Sequence, residues 1–293
     1  MKFVTLAYLA GTIRHNIHKI PHDVDFVIGI PRSGMIAASI IAEFLNAPLV
    51  DIDSFAFGAK PAGGRRMRFH SNSKCPMPRV LVVDDTIFHG RSLREAKAKL
   101  TPFNGKYEFI YLAVYLEGPC GDVDLWLEDL RGYTENFKSF VIYEWNIFHH
   151  IPRFMEVCMY DIDGVLCIEP PDERSGQPYE DYIKSAVPFF TPTVPIGEIV
   201  SYRLERYRAV TENWLAEHGI KYQRLTMFPA QSWDERHKTG IPPALYKARI
   251  YKERTWVKLF VESSDMQARA ICSLSGKPVY SVECNRIYQP DKL

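Results

Sequence analysis

The feature that most constrains this chain is a repeated junction, in which a short apolar run ends in acidic or glycine-rich residues and passes at once into helical spacing. Residues 25–30 (DFVIGI) run into Pro31, Arg32, Ser33 and Gly34, then into the helical pattern MIAASIIAEFLNA. Residues 79–83 (RVLVV) run into Asp84 and Asp85, the loop TIFHGRS and the helical pattern LREAKAKL. Strands alternating with helices in this way build a mostly parallel sheet covered by helices, the α/β class. Residues 107–116 and 140–143 read as two further strands. A hydrophobic content of 46% against 24% charged residues supplies a core and excludes a disordered chain.

At roughly 150 residues per domain, 293 residues suggest two domains. The pattern restarts after His149-His150-Ile151-Pro152, where residues 155–160 (MEVCMY) form a new apolar run ending in Asp161-Ile162-Asp163-Gly164. The expected division is therefore residues 1–152 and 153–293, each an open, Rossmann-like parallel sheet. In the second half an irregular proline-rich segment (170–195) precedes the strand GEIVS, the helix RLERYRAVTENWLAEHG and the strand YQRLTMF. A charged helix over 243–254, the strand VKLFVE, the helix MQARAICSLSG and the strand PVYSV follow. Between the first two strands, residues 57–78 are too polar and too rich in glycine and proline for a core, and a mobile loop or an excursion on the surface is expected.

Charge and cysteine content narrow the function. Lys and Arg number 36 against 35 Asp and Glu, a formal charge of +1, so no global field holds nucleic acid or an anionic membrane. The six cysteines form no C-x-x-C pair and no zinc spacing with histidine, which fits a reducing compartment. The opening MKFVTLAYLAGTIRH lacks the long apolar region of a secretion signal, and no stretch reaches the ~18 apolar residues of a membrane span. A cytoplasmic location is expected.

VLVVDDTIFHGRSL sets two adjacent carboxylates at the end of a buried strand, ahead of a tight loop and a helix. Open α/β sheets bind ligands at that edge. The free amides and dipole of the helix N-terminus favour a phosphate, and Thr86, His89, Gly90 and Ser92 add donors or allow close backbone approach. Asp84 and Asp85 are placed to accept hydrogen bonds from neighbouring sugar hydroxyls, so a phosphorylated ribose satisfies both demands. The segment resembles the phosphoribosyl pyrophosphate (PRPP) motif of type I phosphoribosyltransferases, an apolar strand, an acidic pair and a T-G-x-T/S loop. His89 stands where that family usually has threonine. Upstream, GIPRSGMIAA resembles the family's pyrophosphate loop, in which a non-standard peptide beside Arg32 lets backbone amides meet the pyrophosphate. The stretch carrying Lys60, Arg65, Arg66 and Arg68 matches the flexible catalytic loop. The resemblance thus implies a PRPP site of Arg32, Ser33, Gly34, Arg65, Arg66, Asp84, Asp85, Thr86, His89, Gly90, Arg91 and Ser92, with Asp85 also catalytic. VIYEWNIFHH resembles the strand that contacts the base in purine-type members, which makes Trp145 a candidate to stack on a ring.

MEVCMYDIDGVLC ends a buried strand in two carboxylates one residue apart, which an extended segment turns toward the same side. That arrangement suits a nucleophile beside a general acid/base, with Mg²⁺ to shield the phosphoryl group. It resembles the first motif of the haloacid dehalogenase-like (HAD) phosphohydrolases, in which the first Asp is phosphorylated and the second handles the leaving-group proton. By the same resemblance, Ser201 would hydrogen-bond the phosphoryl oxygens and Lys247, or else Lys252, would offset charge. Glu262 and Asp265 would complete a Mg²⁺ site with Asp161 and the backbone carbonyl of Asp163. Only some thirty residues separate the first and second motifs, too few for a large cap over the site.

The two resemblances imply a bifunctional Mg²⁺-dependent enzyme that joins a phosphoribosyl group from PRPP to a small acceptor and removes phosphate from a phosphomonoester, in sequence a net ribosylation. A phosphatase regulated by a first domain that only senses PRPP or a nucleotide is the alternative. Purine, pyrimidine, orotate and non-base acceptors all stay open. Nucleic acid and membrane are not expected as partners, and many relatives of the first domain pair as dimers, which leaves a homodimer open.

Overall fold

The structure is a computed structural model that describes residues 1–64, 77–119, 121–134, 140–170 and 176–292. The chain forms two compact units, residues 1–145 and 146–293, a division a few residues ahead of the expected 152/153. Among the described residues, no helix is long and apolar enough to cross a membrane.

The first unit contains strand β1 (Lys2–Val4), helix α1 (Leu6–Asn16), β2 (Phe26–Gly29), α2 (Gly34–Leu45), β3 (Leu49–Asp51) and α3 (Ile52–Ala56). It continues with β4 (Arg79–Ile87), α4 (Arg91–Leu100), β5 (Glu108–Leu116), β6 (Leu125–Asp129), α5 (Arg131–Thr134) and β7 (Val141–Tyr143). Five strands form a parallel sheet in the order β3-β2-β4-β5-β6, and β1 pairs with β7 in a separate parallel ladder. Period-two alternation divides the central strands between two cores. Val27, Leu81, Val83, Leu112 and Val114 face Leu9 and Ile13 of α1 and Ala37, Ala38 and Ile41 of α2. Phe26, Ile28, Val80, Val82 and Ala113 face Ile52 and Phe55 of α3 and Leu93, Ala96 and Leu100 of α4. At ~1.5–3 kcal/mol for each fully buried aliphatic side chain, these two layers hold the sheet.

One sequence expectation is corrected at the strand that matters most. The strand from Arg79 does not stop at Val83: it carries both acids inside the ladder and runs on to Ile87. The cause is β5, whose backbone stays paired with β4 through Asp84↔Ala113, Thr86↔Tyr115 and Ile87↔Leu116. On its other side β4 outruns its neighbour, because β2 ends with Gly29 opposite Val83. Asp84 and Asp85 therefore lie just past the end of β2, where the chain turns into α2.

The second unit contains α6 (Pro152–Met155), β8 (Cys158–Tyr160), α7 (Gly176–Ser185), β9 (Ile196–Leu204), α8 (Arg208–Glu217), β10 (Tyr222–Phe228) and α9 (Trp233–Lys238). Then follow α10 (Pro243–Glu253), β11 (Leu259–Glu262), α11 (Asp265–Ser275), β12 (Val279–Ser281) and β13 (Arg286–Tyr288). Its sheet has the order β10-β9-β8-β11-β12-β13, parallel except at the edge pair β12/β13. Arg203 and Leu204, expected to open a helix, instead extend β9, which holds its pairing with β10 through Phe228↔Leu204, so the helix waits until Arg208. Part of the stretch expected to be irregular is helical, as α7. The short β8 lies between β9 and β11, so Asp161 emerges at the centre of the sheet's carboxyl edge.

Candidate functional site

In the first unit the site is built around the two acids of β4. Both are buried. The Asp84 carboxylate accepts the Asp85 amide N–H at 3.0 Å. Asp85 accepts from the Ser33 hydroxyl at 2.9 Å and from the Trp145 indole N–H at 3.0 Å. Burial raises the pKa of both, and the neighbouring Asp85 charge pushes Asp84 up further. On Asp85 the bonds from Ser33, Asp84 and Trp145 oppose that rise. Gly34 makes the close packing possible: a Cβ there would stand 3.0 Å from Asp84 Oδ1 and 3.0 Å from the Val83 carbonyl. The peptide between Pro31 and Arg32 is cis.

The loop after β4 spans only a few residues before α4, with Gly90 at φ 65° as the residue before the helix, a left-handed conformation that suits glycine. Gly90 is buried and Thr86 half-buried, whereas His89, Arg91 and Ser92 are exposed, as is Arg32 in the facing turn. The His89 ring rests against Phe88, centroids 4.2 Å apart. Thus Arg32 and Ser33 lie in the turn after β2 and Gly34 opens α2, Asp84, Asp85 and Thr86 lie in the last part of β4, His89 and Gly90 in the loop after it, and Arg91 and Ser92 at the start of α4. Arg65, Arg66 and Arg68 lie outside the described residues. Trp145 does not present a free ring: its indole donates to Asp85, and it packs against Tyr143, with centroids 5.0 Å apart, and against the core.

Sequence reasoning missed Glu117, which directly follows β5. Its backbone N–H donates to the Ile87 carbonyl at 2.9 Å, and its carboxylate accepts the Tyr143 hydroxyl. Burial pushes its pKa up to about 7 against the pull of the Tyr143 bond, and the Asp85 charge adds to the rise. The available signal was the acid closing the apolar run YLAVYLE, the same junction that marks Asp84 and Asp161.

In the second unit Asp161 follows β8 and is tied to β11 by its N–H, which donates to the Val261 carbonyl at 2.9 Å. Its carboxylate accepts the Ile162 N–H at 2.8 Å and the Lys247 ammonium at 2.6 Å. Burial pushes the Asp161 pKa up to about 7, against the attraction of Lys247. Lys247, buried on α10, also reaches Glu262 at 2.8 Å and Gln267 at 3.3 Å. Burial works against its charge, but Asp161 and Glu262 hold the ammonium protonated. Asp163 is clasped by the fully buried Arg203 of β9, with Nη2 at 2.5 Å and Nε at 3.2 Å, and by the Tyr179 hydroxyl at 3.4 Å. Gly164 at φ 71° brings the turn against Ser263, whose Cβ would lie 2.5 Å from an added Cβ. A cavity of about 430 Å³ opens here, lined by Asp161, Asp163, Arg203, Lys247 and Ser263, and also by Arg236 and His237 of α9.

The four residues expected to hold Mg²⁺ do not come together. Asp163 is bound to Arg203, and Glu262 and Asp161 share Lys247. Asp265 turns to the Tyr288 hydroxyl and to Arg269 at 2.8 Å, a pair one helical turn apart, and does not line the cavity. Among the described residues no group of three or more His, Cys, Asp or Glu side chains is arranged to hold a metal. Lys247 sits on the carboxylates of both Asp161 and Glu262, and Ser263 and Gln267 reach the cavity from after β11. Ser201 is fully buried within β9, where its oxygen accepts the Arg203 N–H at 3.2 Å, and it also does not line the cavity.

Residues 6–146 match the family model of the phosphoribosyl transferase domain. The matched stretch is just under half of the chain and lies almost wholly within the first unit. Among solved structures, the chain is similar to orotate phosphoribosyltransferase from Aeropyrum pernix at 19% identity, over 43% of this chain and 71% of that one, with a TM-score of 0.32. It is also similar to purine phosphoribosyltransferase from Pyrococcus horikoshii Ot3 at 18% identity, over 50% and 94%, with a TM-score of 0.29. A third is the xanthine-guanine-hypoxanthine phosphoribosyltransferase of Helicobacter pylori, at 12% identity over 50% and 92%, with a TM-score of 0.35. Scores of this size add nothing to the family match. No curated protein matches the chain.

Proposed function

We propose that the first unit transfers the phosphoribosyl group of PRPP to a nucleobase or a related acceptor, and that the second hydrolyses a phosphomonoester through Asp161. Acting in sequence, the two would ribosylate the acceptor. The observation that carries the first part is the buried Asp84–Asp85 pair, set at the tip of a central parallel strand between two turns, within a stretch that matches the transferase family.

Two carboxylates forced together in a buried site need partners that supply positive charge or hydrogens. Vicinal ribose hydroxyls supply hydrogens, and a Mg²⁺ carried in with PRPP fits the same pair, where Asp84 and Asp85 would hold it. When bound, the ion offsets charge on the leaving pyrophosphate. The amides at the start of α4 bind the 5′-phosphate, and the Pro31–Gly34 turn faces the pyrophosphate. The acceptor's nucleophilic atom attacks the anomeric carbon as the bond to pyrophosphate breaks, and the departing group keeps the electron pair. The acids fix the sugar so that both partners lie in line, and exclusion of water protects the cation-like carbon.

In the second unit the reading rests on Asp161 facing a cavity with Lys247 on its carboxylate. An Asp161 oxygen attacks phosphorus as the ester oxygen departs with its electron pair and takes up a proton from solvent; water then attacks phosphorus, breaking its bond to Asp161 and releasing inorganic phosphate and a proton. Lys247 offsets the charge gathered at the phosphoryl group. Since the donors around Asp161 do not fit Mg²⁺, no step is assigned to a metal here.

The test is mass spectrometry of products formed from PRPP, Mg²⁺ and a panel of bases and nucleotides, comparing wild type with Asp161→Asn and Asp85→Asn. A ribosylated product in wild type, a phosphoribosylated one in Asp161→Asn and none in Asp85→Asn is expected. Phosphate release lost only in Asp161→Asn, with no pyrophosphate from any acceptor, would overturn the transfer reading. It would favour the phosphatase with a sensing first unit, to which His89 in the phosphate loop points.

A further inference from the structure

The Trp145 indole meets Asp85 in a way that a base-stacking role does not explain. Indole Nε1–H is a donor and never an acceptor, so the 3.0 Å contact has one sense: the ring donates to Asp85 Oδ2. The other oxygen, Oδ1, takes the Ser33 hydroxyl at 2.9 Å. One donor therefore sits on each oxygen, and together they fix the rotation of the carboxylate about its last bond. The two donors come from different segments, the turn before α2 and the stretch after β7. A carboxylate accepts about four hydrogen bonds, and Asp84 and the Asp85 backbone also bond to this one, so its orientation is set from several sides. The ring itself is held by Tyr143, centroids 5.0 Å apart and planes inclined by 40°, and by the core beneath it. Tyr143 in turn donates to Glu117, so two aromatic donors near β7 bind the buried Asp85 of β4 and the half-buried Glu117 after β5.

We propose that Trp145 is a positioning residue: through its N–H, with Ser33 opposite, it sets the plane in which Asp85 meets the sugar hydroxyls of PRPP, and it does not stack on the acceptor. The proposal rests on the transferase reading of the first unit. Without its two donors Asp85 is free to rotate toward the backbone or to share a proton with Asp84, and either change removes an acceptor from the sugar.

Trp145→Phe keeps an aromatic ring while deleting the donor and part of the ring packed on the core, and Ser33→Ala removes the opposite donor at little cost in volume. In the full chain each variant is expected to weaken PRPP binding, measured by calorimetry with Mg²⁺, by about ten- to a hundredfold, the worth of one hydrogen bond to a charged group. The KM for the acceptor should stay within about twofold, since neither change alters a surface the acceptor touches. A second readout needs no turnover. In the nitrogen–proton NMR spectrum the indole resonance that disappears in Trp145→Phe should lie downfield, shift in Asp85→Asn and shift again when PRPP binds. A raised acceptor KM with unchanged PRPP affinity would overturn the proposal in favour of stacking. Unchanged affinity and an indole signal indifferent to Asp85→Asn would overturn it in favour of simple packing. A wild-type protein that binds no PRPP at all would instead bring down the transferase reading, a result distinct from either.

Discussion

Replacing Glu117 by glutamine offers a direct measure of how far burial controls the acidic edge of the first sheet. The carboxyl is pushed from 4.5 to about 7, burial being the main cause, with the Tyr143 hydroxyl pulling the other way and Asp85 adding to the rise. The folded protein therefore holds a proton on Glu117 through a pH range in which the unfolded chain has lost it. With more protons bound in the folded state, stability falls as pH rises from about 4.5 to about 7 and is level above that. At about 1.4 kcal/mol per pH unit the rise from 4.5 to about 7 is worth at most ~3.5 kcal/mol. Glutamine keeps an oxygen to accept from Tyr143 but cannot ionise. The difference in stability between Glu117→Gln and wild type should thus be small near pH 4.5, grow in favour of the variant through pH 6, and level off above pH 7. With 2–4 °C per kcal/mol for a domain of about this size, the plateau corresponds to at most roughly 7–14 °C in the melting of the first unit. Scanning calorimetry of both proteins from pH 4.5 to 8 measures it, and the titration of Asp84 and Asp85 enters the difference only through the Asp85 charge that acts on Glu117. Parallel curves, or a variant destabilised equally at every pH, would refute the reasoning.

Other expectations can be checked alongside. Asp85→Asn should lower PRPP affinity by more than about tenfold, since an acceptor for a sugar hydroxyl becomes partly a donor, and equilibrium binding reads this directly. Gly34→Ala places a methyl 3.0 Å from the Asp84 carboxylate and should weaken PRPP binding while leaving phosphate release from the second unit within about twofold of wild type. Lys247→Ala leaves Asp161 and Glu262 buried without their shared cation and should destabilise the second unit by about 3–5 kcal/mol in urea unfolding. Mg²⁺ alone, at millimolar levels, should leave the melting of the second unit unmoved, because binding there would have to displace Lys247 or Arg203.

The parts of this molecule that could be read in the sequence are those written in contiguous residues. Apolar runs broken by acids located β4 with Asp84 and Asp85, and β8 with Asp161, because a buried strand must be apolar until it reaches the edge where polar groups find partners. The length of β4 was hidden, since its continuation past the acids depends on pairing with β5, residues away in sequence and absent from any local pattern. Contacts across the fold were hidden for the same reason. Nothing near Trp145 reveals that its N–H meets Asp85, and nothing near Asp163 reveals that Arg203 closes on it. Asp265 misled because its spacing is right for a ligand and equally right for an ion pair with Arg269 one turn along α11.

The ladder between β1 and β7 has a consequence for how the first unit comes into being. Lys2, Phe3 and Val4 pair with Val141, Ile142 and Tyr143, so the two ends of the unit are zipped to each other. A chain emerging from the ribosome cannot close that ladder until nearly the whole unit has been made, and the entropy of so long a loop must be met before the pairing repays it. The opening strand therefore waits, unpaired, through most of synthesis. Joining the two ends by a short peptide and cutting the chain at an exposed turn elsewhere would let β1 and β7 meet as neighbours in sequence. Such a permuted chain should complete the unit faster than the natural order allows.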